Sequence, residues 1–183
     1  MSAIHKLAPI TVETYLALEE NSSVRHELVD GYLVAMVGTT QRHNLIAGNW
    51  FALLRAQLRG TPCRVFMSDL KVQVGNNFYY PDLVVSCRTD DLAAKIVADP
   101  KLIIEVLSTS TEARDRHEKR IAYQRLDSVQ EYLLVTQDRQ QVEVFRRRSD
   151  GWEVETYGTG ETVRLEALNL AMTMAAIYED ALE

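Results

Sequence analysis

The sequence is poor in several residue types and patterns, and each shortage excludes something. Only two of its 183 residues are cysteine, Cys63 and Cys87. That is too few for a disulfide framework, and their spacing is not that of a zinc site, so a reducing cytoplasm is the expected compartment. No run of eighteen apolar residues occurs, which argues against a membrane-spanning helix, and the N-terminal MSAIHKLAPITVETY has neither a long apolar stretch nor a small-residue cleavage pattern. Positive charge is not in excess: the formal net charge is -6, so contact with nucleic acid would rely on local basic patches or on metal ions that offset repulsion. No repeat, low-complexity tract or Pro/Gly/Ser-rich linker divides the chain, and one domain over residues 1–183 is expected.

Hydrophobic residues, by contrast, make up 46% of the chain, enough for a substantial core. Thr11 before VETYLALEE predicts a short capped helix. HELVDGYLVAMV reads as two strands joined by Asp30-Gly31, a dipeptide suited to a tight hairpin turn. From Thr40 to Gly60, apolar Ile46, Trp50, Leu53, Leu54 and Leu58 recur at helical spacing, predicting an amphipathic helix that covers a sheet. RVFMS, LKVQV, FYYPDLVVS and LIIEVLS read as strands, with a polar segment from Arg88 to Lys101 before the last of them. TEARDRHEKRIAYQRL predicts a charged helix, and EYLLVTQD returns as a nearly continuous apolar strand. QVEVFRRRSDGWEVETYG alternates by twos around Asp150-Gly151, and LNLAMTMAAIYED predicts a closing helix whose apolar residues complete the core. The pattern is mixed α/β around a central sheet.

Glu105 stands out because it lies in the apolar run LIIEVLSTST. An ionised carboxylate there must be paired, protonated or bound to a metal. Asp82, in Tyr80-Pro81-Asp82, lies 23 positions earlier on the preceding strand, so pairing of the two strands brings the carboxylates together. Two such carboxylates, completed by water and substrate phosphate, suit Mg²⁺. Lys119 follows on the charged helix, sharing a face with Asp115 and Tyr123 at i, i+4 spacing. An ammonium there would orient a water or steady charge on a phosphate. Ser108 and Ser110 are read as helix-capping residues rather than nucleophiles, and Cys87 has no neighbouring His to activate it.

The ordered set ELVDG, a helix beginning RHN, YYPDLVV, LIIEVLSTST, D-x-x-x-K-x-x-x-Y and QEYLLV resembles the Uma-type restriction endonuclease family, catalogued as a domain of unknown function, from about Thr11 to Ile177. The resemblance implies a restriction-endonuclease-like α/β fold of the PD-(D/E)XK superfamily. This would be a mixed central sheet flanked by helices, with an N-terminal β-hairpin and a C-terminal helix. It implies Mg²⁺, with Mn²⁺ as substitute, held by Asp82, Glu105 and the backbone carbonyl of Val106, and hydrolysis of nucleic acid, most naturally DNA, by a homodimer. Glu27, the glutamate of the ELxDG pattern, and His43, at the start of the amphipathic helix, match two further family positions. The usual lysine two positions after the second acid is Leu107 here; some members of that superfamily carry this lysine on the following helix, and Lys119 fits such a substitution.

Each of these residues has an ordinary structural explanation as well. Asp82 could accept only backbone hydrogen bonds, Glu105 could form a buried ion pair with Lys119, and Lys119 could belong to a solvated helix. Glu27 could pair across the hairpin and His43 could merely start a helix. Arg146-Arg147-Arg148 is expected to be an exposed face, with a phosphate contact as the sharper alternative. The competing reading of the whole chain is a catalytically inactive nuclease-fold module for nucleic-acid binding or protein assembly.

Overall fold

A computed structural model of the chain describes residues 8–36, 38–88, 91–109 and 111–182. Ser110 therefore lies outside the described residues. Helix α1 (Val12–Asn21) opens at Thr11, whose hydroxyl accepts from the Thr14 backbone N–H. Strands β1 (His26–Val29) and β2 (Tyr32–Ala35) follow, joined by Asp30 at φ 50° and Gly31 at φ 84°. Both turn residues thus adopt the left-handed conformation that a two-residue hairpin demands. At Gly31 a side chain would also strike Pro9, whose Cβ would lie 2.6 Å away.

Helix α2 (Gln41–Gln57) is capped by Thr40. Next come β3 (Arg64–Met67), β4 (Val72–Val74), β5 (Asn77–Tyr79), β6 (Leu83–Ser86) and β7 (Pro100–Leu107). FYYPDLVVS, read as one strand, is divided between β5 and β6, which belong to different sheets. The division falls at Pro81, which has no N–H for a ladder. After a helical stretch, β8 (Glu131–Thr136), β9 (Val142–Arg148) and β10 (Gly151–Tyr157) complete the main sheet. Its order is β10-β9-β8-β7-β6-β3, with β7 and β8 parallel and its other neighbours antiparallel. A second sheet runs β2-β1-β5-β4.

Where LNLAMTMAAIYED was expected to be helical throughout, Leu170–Thr173 instead forms β12, paired with β11 (Thr162–Leu165), and only Met174–Ile177 forms helix α5. Its Met172, Met174 and Ile177 are buried in the core, as expected. That core lies between one face of the main sheet and helices α2 and α5, with Ile46, Trp50 and Leu54 meeting Ile104, Val106 and Leu133. The opposite face packs Ile103, Leu107, Tyr132 and Leu134 against Tyr79 and Tyr123. Glu105 alternates onto this second face, which makes its burial possible.

The cysteines are joined. Cys63 and Cys87, flanking the paired residues Arg64 and Ser86, form a disulfide between the start of β3 and the end of β6. Direct opposition across an antiparallel pair supplies the proximity that sequence spacing concealed, and cysteine usage no longer argues for a reducing compartment. The Arg146–Arg148 run is likewise not an open basic face. Arg146 is buried and paired with Glu131, its direct partner across β8 and β9. Arg147 donates to the carbonyls of Gln124, Leu126 and Val129, and Arg148 pairs with Glu153 and Glu166. No helix among the described residues is long and apolar enough to cross a membrane.

Trp50, fully buried on α2, measures how far the core depends on this helix. Trp50→Ala is expected to cost about 3–5 kcal/mol of unfolding free energy, read from the midpoint of urea denaturation.

Candidate active site

The β6–β7 register decides where the acidic residues meet. Leu83 is opposite Ile104, so Asp82, one residue before β6, lies beside the Glu105–Val106 step of β7. There the Val106 backbone N–H donates to Asp82 Oδ2 at 2.7 Å. The same oxygen lies 3.2 Å from His43 Nε2, in the first turn of α2. Burial works to lower the His43 pKa, but the hydrogen bond and charge of Asp82, the Val106 carbonyl and the more distant Asp115 outweigh it and raise it.

Glu105 finds its partner on the helical stretch after β7. This consists of α3 (Glu112–Arg114), a π-helical turn (Asp115–Lys119) and α4 (Arg120–Gln124). Wide π turns are often found at functional sites. Here the turn points both of its end residues, Asp115 and Lys119, inward, where both are buried. The Tyr132 hydroxyl holds the turn by donating to the Asp115 carbonyl at 2.9 Å.

Lys119 Nζ lies 3.1 Å from Glu105 Oε1, 3.2 Å from Glu27 Oε1 and 3.2 Å from Asp115 Oδ1. Tyr123, one helical turn on, donates to the same Glu105 oxygen at 3.2 Å. Glu27 reaches in from β1, where it also accepts from the Tyr80 backbone N–H at 3.1 Å and pairs with Arg114 at 2.9 Å. Leu107 shares the inward face of β7 with Glu105 and packs into the apolar cluster. Lys119 thus brings its ammonium from the helix to the face on which position 107 points.

Of the five expected side chains, Glu105, Lys119 and Glu27 form one ion-paired cluster, and Asp82 and His43 form a pair beside it, tied to β7 through the Val106 N–H. Two residues were not assigned a role from the sequence. Asp115 was visible only through its i, i+4 spacing with Lys119 and Tyr123, and Arg114 was hidden among the helix's other arginines. The partner of Glu27 proves to be this helix, not the facing hairpin strand.

The electrostatics are lopsided. Four carboxylates, Asp82, Glu27, Glu105 and Asp115, face the two fixed cations Lys119 and Arg114, with His43 titrating beside them. Burial pushes the Glu105 carboxyl well above the usual range, and neighbouring Asp115, Asp82 and Glu27 add to that effect against the pull of Lys119. Asp115 is raised too, again chiefly by burial. Burial disfavours the Lys119 ammonium, but Glu105, Glu27 and Asp115 more than compensate and hold it protonated.

The donors fit a hard divalent cation. They are carboxylate and carbonyl oxygens with negative charge left over. Among the described residues, no three His, Cys, Asp or Glu side chains form a preformed cage.

The sequence profile of the Uma2 family, described as "Putative restriction endonuclease", matches residues 12–176. The chain belongs to this family. It is similar to two uncharacterized proteins of Synechocystis sp. The first, slr1290, is 34% identical over 177 residues, covering 94% of this chain and 92% of the relative. The second, sll1609, is 29% identical over 162 residues, covering 86% and 92%. The fold matches a crystal structure from Anabaena variabilis described as a putative nuclease belonging to DUF820. The TM-score is 0.80 with 19% identity, over 95% of this chain and all of the other. The restriction-endonuclease-like fold expected from the sequence is therefore present.

The carboxylate shifts carry a sign. A carboxyl raised above its ordinary value of 4.5 in the fold contributes stability below that value, and the contribution is lost as pH rises through the raised pKa. Asp115 and His43, also raised, act in the same direction. Glu105→Gln removes one of these contributions. Relative to wild type, the variant is expected to gain stability steadily as pH rises above about 4.5, in urea denaturation at a series of pH values. A stability difference independent of pH would contradict the raised Glu105.

Proposed function

We propose that this protein is a Mg²⁺-dependent nuclease that hydrolyses phosphodiester bonds of nucleic acid, with DNA as the substrate and a homodimer as the working form. The observation that carries the reading is the meeting of Asp82 and Glu105 across β6 and β7, with Lys119 delivered to Glu105 from the helix. Family membership supports the nuclease class.

Asp82, Glu105 and the Val106 carbonyl are the groups that would hold the ion. When bound, Mg²⁺ supplies positive charge to the phosphate oxygens and acidity to a bound water. Lys119, set among three carboxylates, is first a fixed positive charge that keeps Glu105 in place. It orients a water only if one carboxylate yields its hold. Glu27 fixes the helix by holding both Lys119 and Arg114. His43 fixes the Asp82 carboxylate and, when protonated, offers a proton near the phosphate. Tyr123 limits the rotation of Glu105.

A second reading follows from the same contacts. Lys119 is engaged internally by three carboxylates, as it would be in a fold retained for nucleic-acid binding or protein assembly without turnover. Salt-sensitive binding with no cleavage under any divalent ion would favour it.

Asp82→Asn tests the first reading. With purified protein and plasmid or oligonucleotide substrates, Mg²⁺-dependent cleavage is expected to fall by about a hundredfold or more. Undiminished cleavage by the variant would remove Asp82 from the assignment.

A further inference from the structure

Residues of β9 alternate between the two faces of the main sheet. Val142 and Val144 turn to the α2 side, and Glu143, Phe145 and Arg147 turn to the α4 side. The helical stretch after β7 lays its arginines over this second face. Arg116, in the π turn, pairs with Glu143 at 2.8 Å. Arg120, the first residue of α4, stands over Phe145, its guanidinium carbon 5.1 Å from the ring centre. Arg147 stands over Trp152, its direct partner on β10, at 4.6 Å. Three guanidinium groups thus follow successive same-face positions of one strand, positions that are roughly 7 Å apart.

Their charge balance differs. Arg116 is matched by Glu112 and Glu143. Arg120 makes no hydrogen bond or ion pair among the described residues, and its Nε is buried without an acceptor. Arg147 gives Nε and Nη2 to the carbonyls of Val129, Gln124 and Leu126, which leaves Nη1 over, and among the described residues it meets no carboxylate. Two half-buried guanidinium groups therefore keep their whole charge on one face of a chain whose net charge is -6. An aromatic ring under each holds it in place and leaves N–H groups for a planar oxyanion. Val154, opposite Phe145 and 54% exposed, adds apolar surface beside the row.

We propose that this face of β9 and β10 beside α4 is a track for a DNA backbone, with Arg120 and Arg147 as its phosphate contacts. A linear row of guanidinium groups suits a chain of regularly spaced phosphodiesters, and stacked arginine with neighbouring apolar surface is a common means of following a strand without reading its sequence. The row begins at the π turn that also sends Lys119 into the carboxylate cluster, so a strand lying along it leads to the site. The inference rests on the reading that the chain engages nucleic acid, and stands whether or not it cleaves.

The test is the affinity of wild type and variants for a fluorescein-labelled DNA duplex and its separate strands, read by anisotropy over a series of salt concentrations, with EDTA or Ca²⁺ in place of Mg²⁺. Arg120→Gln is expected to weaken binding by about threefold to tenfold and to lower the slope of log affinity against log salt by about one. Arg120→Lys must restore the slope. Arg59→Gln, at an exposed arginine just past α2 on the other side of the main sheet, must change neither. Undiminished binding by Arg120→Gln, an equal loss in Arg59→Gln, or no DNA bound by wild type overturns the track. The first two results leave the nuclease reading standing. A loss in Arg120→Gln from a protein that cleaves nothing with Mg²⁺ upholds the track and removes the nuclease reading. Should Arg120→Gln fail to fold, phenylglyoxal footprinting of wild type by mass spectrometry decides: DNA must protect Arg120 and spare Arg59, and an unprotected Arg120 overturns the proposal.

Discussion

One ammonium holds the site together. Lys119 meets Glu27 from the hairpin sheet, Glu105 from the central sheet and Asp115 from its own helix, so three separately formed elements converge on one buried charge. Each carboxylate alone would be expelled from the interior, and the ammonium alone would fare no better. Removal of Lys119 would leave three buried carboxylates without their shared cation, at a cost of about 3–5 kcal/mol for a buried pair. The cluster thereby ties the hairpin, the sheet and the helix into one arrangement.

The π turn between Asp115 and Lys119 is the local device behind this convergence. Its wider winding carries both side chains inward, beside Arg114, which reaches Glu27, while Arg116 pairs with Glu112 and Glu143. Leu107 shares the inward face of β7 with Glu105 and contributes apolar packing. The cation arrives from the helix, leaving the strand free to build core.

Much of this was legible in the chain. Asp30-Gly31 specified its turn, Thr40 and the apolar stripe specified α2, and an acid inside LIIEVLS demanded a partner. What escaped the sequence was long-range pairing. Pro81 marked a break without revealing that β5 and β6 join different sheets. The Arg146–Arg148 run read as exposed because nothing local shows that Glu131 lies directly across from Arg146. Cys63 and Cys87 looked unrelated until β3 and β6 placed them opposite each other. Arg114 gained its role only through Glu27 of β1, and Asp115 through the Lys119 ammonium that it shares with β1 and β7. Residues whose function depends on one strand or one cap were readable, whereas those defined by register between distant segments were not.

The surplus of carboxylates over fixed cations leaves negative charge that either protons or a divalent ion must balance. Calorimetric titration of Mg²⁺ or Mn²⁺ into the protein, in two buffers of different ionisation enthalpy and with oligonucleotide present, tests this most directly. The expected result is one ion bound per chain with release of protons from the raised carboxyls, lost in Glu105→Gln. Absence of binding under every condition would show that Lys119 alone completes the cluster, and the fold would then be one kept for binding without catalysis.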